Sequence, residues 1–232
     1  MASPQPPRAP AATAVIAAAG SGERLGAGGP KAFVPLAGRP MIEWSVAALR
    51  ACDSVRAIVV AAPPGHDHDL AGDDLTVLDG GATRAQSVAN ALAAVETELV
   101  AIHDAARPLL TPELVETLVA SLTADSDAAA VIPAAPVADT VKQAQGGVVE
   151  RTLDRSLLWA AQTPQVFRAE ALRAALDVDD ETRDTATDEA MLIEAAGGKV
   201  LIQPAPAENF KVTTPHDLRV AELLLSDRAA SR

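Results

Sequence analysis

The chain has 232 residues, 49% of them hydrophobic, which suits a single α/β domain with a sizeable core. Aromatic residues make up only 2% and Tyr is missing, so that core must be built from Ala, Val, Leu and Ile. A net charge of −12 argues against nucleic acid or an anionic membrane as partner, and the one cysteine, Cys52, excludes an internal disulfide framework.

Met1 to Ala12 is rich in Pro and Ala and lacks an apolar signal-peptide core, so residues 1–12 read as a disordered tail. No apolar run reaches membrane-spanning length, and a cytoplasmic location is expected. Thr13 to Ala19 is a short apolar run that reads as a buried first strand. It opens into Gly20-Ser21-Gly22-Glu23-Arg24-Leu25-Gly26-Ala27-Gly28-Gly29-Pro30-Lys31, too rich in glycine for a helix and too long for a tight turn. Glycines let backbone N–H groups approach a ligand, and the stretch carries the cations Arg24 and Lys31. That combination is a cradle for a polyanion such as a nucleoside triphosphate. The dinucleotide fingerprint needs G-x-G-x-x-G and an acid ending the second strand. Here Gly20, Gly22 and Gly26 give G-x-G-x-x-x-G, and the second strand ends Ala61-Ala62-Pro63. A P-loop needs Gly-Lys-Ser/Thr, whereas Lys31 stands between Pro30 and Ala32. A nucleotidyltransferase loop fits the spacing better than either.

Farther along, Arg39-Pro40 starts a helix that runs to Ala51 with Ile42, Val46 and Leu49 on its apolar face. Arg56 to Ala62 is a second strand. His66-Asp67-His68-Asp69 has metal-ligand residue types, but with no partner cluster elsewhere it reads as a solvated loop. Leu75 to Leu78 is a third strand. Asp79-Gly80-Gly81 then turns into a helix to about Val95, where Arg84 and Ser87 lie together. This is a second candidate ligand site, with a plain polar helix start as the alternative. Glu98 to Ile102 is a fourth strand, followed by His103-Asp104-Ala105-Ala106-Arg107-Pro108. The carboxyl ends of strands in open parallel sheets carry ligands, which singles out Asp104 and Arg107; a structural Asp–Arg pair is the alternative.

Thr111-Pro112-Glu113 starts the next helix, and Ala128 to Pro133 is a fifth strand. Val137 to Lys142 and Gly147 to Thr152 flank Gly146-Gly147 as a hairpin arm. A lone hairpin is marginal in water, so a second subunit is expected to cover it. Trp159 to Gln165 leads back to the core, and Glu181 to Thr187 reads as polar loop. Thr187 caps a helix to about Ala196, Lys199 to Gln203 is another strand, and Asn209 to Thr213 is extended. A last helix spans Pro215 to Leu225, with residues 227–232 as a flexible tail. The alternation predicts one α/β domain over residues 13–226.

The series Ala18 to Arg24 with Pro30-Lys31, Asp79-Gly80-Gly81 with Arg84 and Ser87, His103 to Pro108, Asp139-Thr140-Val141-Lys142, Gln162-Thr163-Pro164-Gln165, Thr187-Asp188-Glu189-Ala190 and Asn209-Phe210-Lys211-Val212-Thr213 resembles the 2-C-methyl-D-erythritol 4-phosphate cytidylyltransferase family. The resemblance covers residues 13 to about 225, with Ala32 standing where many members carry Gln. It implies a Rossmann-like three-layer nucleotidyltransferase fold, with a mostly parallel sheet and a dimerising arm at about 137–156. It also implies transfer of CMP from CTP to methylerythritol phosphate, releasing pyrophosphate.

By the same resemblance Ala18, Ala19, Gly20, Ser21 and Gly22 wrap the triphosphate, and Arg24, Lys31 and Lys211 are the catalytic cations. Gly80, Gly81, Arg84 and Ser87 hold the cytosine side. Asp104, Ala105 and Arg107 line the ribose and methylerythritol region. Thr163, Thr187 and Asp188 are substrate-side contacts, and Thr140 and Arg155 serve the neighbouring subunit of a homodimer. Mg²⁺, or another divalent cation, is expected on the CTP phosphates. The protein alone offers no metal cage, and Asp104 reaches such an ion at most through water. The attacking phosphate is already ionised near neutral pH, so no general base is required. The length leaves no room for the metal-dependent cyclase fused to some members, and a single activity is expected. Cytidylyl transfer to another polyol phosphate such as ribitol 5-phosphate, or a sugar-1-phosphate nucleotidyltransferase using UTP or dTTP, are the near alternatives. A dinucleotide oxidoreductase conflicts with the loop spacing. A binding module leaves Lys31, Lys211, Arg24 and Arg155 without a common reason.

Overall fold

The structure is a computed structural model that describes residues 11–20, 25, 29–66, 70 and 74–230. Ser21, Gly22 and Arg24 of the glycine-rich stretch, and Asp67-His68-Asp69 of the polar loop, lie outside the described residues.

In chain order the elements are β1 (Ala12–Ala17), β2 (Pro35–Leu36), β3 (Arg39–Pro40), α1 (Met41–Arg50), β4 (Val55–Ala62), β5 (Leu75–Asp79), α2 (Arg84–Leu92), β6 (Leu99–Asp104), α3 (Pro112–Ala124) and β7 (Ala128–Pro136). The hairpin strands β8 (Lys142–Gln145) and β9 (Val148–Thr152) follow, then β10 (Trp159–Ala161), β11 (Gln165–Arg168), α4 (Ala169–Leu176), α5 (Asp180–Thr185), α6 (Glu189–Ala195), β12 (Lys199–Pro204) and α7 (Pro215–Ala230). The main sheet has eight strands in the order β10-β7-β11-β6-β1-β4-β5, with β12 also paired to β7. Pairings among β1, β4, β5 and β6 are parallel, as is β7 with β12, whereas β10 and β11 run antiparallel to their neighbours.

Side chains alternate across a strand, so a sheet covered on both faces must be apolar on both. In register across the sheet, Val15, Val59 and Ile102 face one way, into a cluster with Val88 of α2, Leu172 of α4 and Ile193 of α6. Their neighbours Ile16 and Val60 face the other way, with Val46 of α1 and Leu118 of α3. This is the three-layer arrangement expected. Ala and Val dominate the strands, and Phe167 is the largest fully buried side chain among the described residues.

Chain order fixes where a ligand can go. From β1 the chain crosses over α1 to β4 and on to β5, then returns to place β6 on the other side of β1. Crossovers leaving in opposite directions open a crevice at the carboxyl ends of β1 and β6. The backbone shows the divergence: Ala18 donates its N–H to Ala61 of β4, while Ala17 accepts from Ala105 beyond β6.

Several boundaries differ from the sequence reading. Arg39-Pro40 pairs with Pro35-Leu36 as a small ribbon, and Pro40 caps α1 from outside. The expected loop at Glu181–Thr187 contains α5, closed by Asp179 accepting from Thr182. Asp188, not Thr187, caps α6, because its carboxylate accepts the Met191 N–H. The last helix runs on to Ala230, so most of the expected tail is helical. The arm's first strand begins only at Lys142, and Val137 to Val141 are not strand. Its turn, Gly146-Gly147, has φ of 58° and 81°, the pair of positive angles that a tight hairpin turn demands and that glycine supplies. All residues of β8 and β9 are exposed, and Val148, Val149 and Leu157 present apolar surface at 69%, 54% and 77% exposure.

Candidate active site

A cleft of about 600 Å³ opens where the chain order predicts it, at the carboxyl ends of β1, β5 and β6. Ala18, Ala19 and Gly20 line one wall, Gly81, Arg84 and Ser87 another, and Asp104 and Ala105 the floor, with Lys31 and Lys211 at its edge. Residues far apart in sequence therefore meet at one place, and ten of the expected site residues line it.

Each wall has a local cause. The two ends of the glycine-rich stretch meet, because the Lys31 N–H donates to the Gly20 carbonyl. The diglycine turn is tied to α2 by Ser87, whose hydroxyl accepts the Gly81 N–H at 3.0 Å and donates to the Thr83 carbonyl at 2.8 Å. Thr83 caps α2 by accepting from Gln86, and the Gln86 side chain reaches back to the Ala82 N–H, a close relative of the capping box. A Cβ on Gly80 would meet Ala19 Cβ at 2.5 Å and Ser87 Oγ at 3.0 Å, so the two walls touch through a missing side chain. Gly80→Ala is expected to cost about 1–3 kcal/mol and to weaken CTP binding, because one wall must shift. Thermal melts and CTP titration of the variant check both.

Lys211 sits on a stitched segment. Val212 donates to the Ala106 carbonyl at 2.8 Å, and the Asn209 amide donates to Gln162 Oε1 and the Thr163 carbonyl, both at 2.9 Å. On the far side Asp217 accepts from the Thr213 N–H, the Thr213 hydroxyl and the Thr214 N–H. Burial works against the Asp217 charge, but these donors hold its pKa down to about 2.

Asp104 is the electrostatic hub. Its Oδ1 accepts from Arg84 Nε at 2.9 Å and its Oδ2 from Lys211 Nζ at 2.7 Å. Burial opposes ionisation, yet the two cations hold this carboxyl well below the usual carboxylate range. Arg84 NH1 in turn donates to both oxygens of Glu189, at 2.6 and 2.8 Å. Burial opposes the Arg84 charge as well, but Glu189 and Asp104 together raise its pKa above the ordinary value. Glu189 stands in the first turn of α6, and no role for it follows from the motif series. The signal was present: Glu189 and Ile193 are one helical turn apart, and Ile193 is core.

Beneath the hub lies a buried chain of neutral groups. The Asp104 N–H donates to Thr163 Oγ1 at 2.9 Å, and Thr163 Oγ1 lies 3.2 Å from His103 Nδ1. His103 Nε2 is 3.2 Å from both the Arg107 carbonyl and Ser45 Oγ. A carbonyl only accepts, so Nε2 carries the hydrogen and Nδ1 accepts from Thr163. Burial pushes the His103 pKa down to about 4. The fold thus favours the neutral ring, and that stability is complete above the unfolded value near 6.5 and is lost as pH falls toward 4. The loss is expected to reach about 3 kcal/mol across that window, and urea melts should show a slope that His103→Asn flattens.

The substrate-side residues fare differently. Thr163 is buried and bound to the floor, and Asp188 accepts from Gln165 Nε2 at 2.8 Å while capping α6, so both support the site from inside. Arg107 donates to the carbonyls of Asn209 and Ala161 and ties the Lys211 segment to β10, making no ion pair with Asp104. Thr187 is exposed beside Met191. Thr140 and Arg155 lie on the arm, where the exposed Arg155 donates to the Ala138 carbonyl, and neither lines the cleft. No histidine lines the cleft among the described residues. The one carboxylate among the described residues that line it, Asp104, has both oxygens on cations.

The family model described as "IspD: 2-C-methyl-D-erythritol 4-phosphate cytidylyltransferase" matches residues 12–227. Proteins of that name from Frankia casuarinae and Bordetella petrii are each 47% identical to the chain, covering 95% and 90% of it and 84% and 96% of their own lengths. The crystal structure of the Thermus thermophilus protein of the same name superposes with a TM-score of 0.78 at 34% identity, over 92% of this chain and 98% of that one. By these matches the chain belongs to the 2-C-methyl-D-erythritol 4-phosphate cytidylyltransferase family.

Proposed function

We propose that the cleft transfers the cytidylyl group of CTP to 2-C-methyl-D-erythritol 4-phosphate, giving 4-diphosphocytidyl-2-C-methyl-D-erythritol and pyrophosphate. What supports this reading most is the convergence of Lys31, Lys211 and the Asp104 hub on one cleft at the switch point, in a chain of this family. A substrate phosphate oxygen attacks the CTP α-phosphorus in line, and pyrophosphate leaves on the opposite side. Two polyanions must be brought together, so catalysis rests on placed positive charge and orientation rather than on a base. Lys31 and Lys211 supply that charge and Arg24 adds to it. Gly81 and Ser87 shape the nucleotide wall. A divalent cation such as Mg²⁺, held by triphosphate oxygens and water, neutralises charge when bound. Asp104 aims Lys211 and does not take a proton, in keeping with its depressed pKa.

The apolar arm is read as a dimer contact, because exposed Val148, Val149 and Leu157 are surface that a partner would cover. Thr140 and Arg155 then complete the cleft of a second copy in a closed two-fold dimer. Among the described residues no helix is long and apolar enough to cross a membrane, and with the free Cys52 this suits a cytoplasmic enzyme.

Pyrophosphate release from CTP and Mg²⁺ is expected with methylerythritol phosphate and not with ribitol 5-phosphate; the reverse preference overturns the substrate assignment. For the arm, inactive Lys31→Ala and Arg155→Ala proteins are expected to regain partial activity when mixed and allowed to exchange subunits. No recovery places Arg155 in its own subunit's site.

A further inference from the structure

We infer that Glu189 is a positioning residue for the transfer: it holds the Arg84 guanidinium back against Asp104, so that Lys211, and not Arg84, is the cation presented to the phosphates. The inference rests on the reading of the cleft as catalytic.

Four groups alternate in sign along one line: Glu189, Arg84, Asp104 and Lys211, joined by contacts of 2.6, 2.9 and 2.7 Å. The two ends differ in freedom. The Glu189 side chain is 1% exposed and fixed at the start of α6, whereas the Lys211 side chain is 40% exposed at the cleft's edge. Arg84 lines the same cleft and carries the same charge, so an incoming triphosphate attracts it as well as Lys211. A guanidinium that swung onto the phosphates would leave Asp104 with Lys211 as its remaining partner and hold that lysine back from the phosphates. Two bonds from NH1 to Glu189 oppose that swing, since breaking them would strand a buried carboxylate. Lys211 has no such tether beyond Asp104 among the hydrogen bonds of its side chain, and the phosphate can draw it away while Arg84 stays to neutralise Asp104.

The prediction separates this role from simple bracing of α6 against α2. Glu189→Gln keeps the shape, removes one negative charge and frees Arg84. The freed guanidinium can then reach the phosphates, so CTP and pyrophosphate bind more tightly, but the extra binding is made in the ground state and does not speed the reaction. The expected result is a kcat lowered about tenfold or more, the scale of one lost charge-assisted contact, together with a lower KM for CTP and a lower inhibition constant for pyrophosphate. In an Arg84→Met background the same substitution is expected to change neither kcat nor CTP affinity, because Glu189 acts through Arg84. Bracing alone would lower the melting temperature and leave KM and kcat per folded molecule unchanged, and that result overturns the proposal. Equal effects in both backgrounds overturn it too. If Glu189→Gln does not fold, Glu189→Asp decides. With the charge kept and the reach shortened, a reduced kcat at unchanged KM for CTP supports the role, and a wild-type kcat refutes it. Wild-type turnover with CTP and methylerythritol phosphate tests the reading of the cleft separately. Were it absent, the Glu189–Arg84 coupling is still read from CTP affinity by calorimetry in the same variants.

Discussion

Lys211→Ala is expected to lower kcat by on the order of 10²–10³ while leaving the melting temperature within a few degrees of wild type, the loss typical of one transition-state charge contact. The two halves of that expectation have separate origins. The Lys211 side chain is 40% exposed and among the described residues pairs only with Asp104, whose other oxygen keeps Arg84, so its removal strands no buried charge there. Its backbone remains stitched through Asn209, Val212 and Thr213, none of which needs the lysine side chain. Charge on the reacting phosphates, by contrast, has few compensators in a protein of net charge −12 with only four lysines. Steady-state kinetics at saturating CTP, beside a thermal melt, are the measurements. Turnover within a few-fold of wild type would remove Lys211 from the catalytic set. Lys31→Ala is the parallel case for the other lysine that lines the cleft.

Asp104→Asn is expected to damage both stability and rate. The amide retains the volume but loses the charge that both Arg84 Nε and Lys211 Nζ bond at under 3 Å. Hydrogen bonds to a charged group contribute about 1.5–3 kcal/mol each. Part of that is recovered, because Arg84 keeps Glu189 and Lys211 turns to water. A net loss of roughly 2 kcal/mol corresponds to about 4–8 °C in Tm for a chain of this size. The rate is expected to fall at least as far as for Lys211→Ala, since the same substitution misplaces that lysine. The stability difference from wild type should itself vanish in strong acid. The Asp104 pKa is depressed in the fold, so its contribution is present above the ordinary carboxylate pKa and disappears as pH falls through the depressed one. An unchanged melting temperature at neutral pH would contradict the hub.

The fold and much of the cleft were legible in the sequence because their signals are local. The strand runs, Gly80-Gly81 and the long glycine stretch each announce themselves within a dozen residues, and chain order then places their carboxyl ends together. The antiparallel strand β11 was not legible. Gln165-Val166-Phe167-Arg168 is short, and its place between β6 and β7 is decided by tertiary pairing. Roles assigned to polar side chains were harder still. Thr163 and Asp188 stand in recognisable motifs, but a motif does not say which way a side chain points, and here they hold the floor and a helix cap. Asn209 and His103 work the same way, through bonds to residues 46 to 60 positions distant. Glu189 carried a readable sign, a charge on a core-facing helical stripe, whose meaning depended on finding Arg84 opposite.

The Lys211 segment has a consequence for how the protein is made. β1 supplies the first wall, but Lys211, the last of the cations proposed for catalysis, arrives only after β12, when the main sheet has its strands. A ribosome that has delivered every strand of the main sheet has therefore not yet delivered an enzyme. A chain clipped in the turn around Pro206, between β12 and Asn209, would keep that sheet's strands and is expected to lose at least the roughly 10²–10³ in rate expected for Lys211→Ala. If Lys211 serves catalysis as proposed, folding of the sheet and competence are finished by different parts of the polypeptide, and activity reports that translation ran past Lys211 in a way that a folded sheet alone does not.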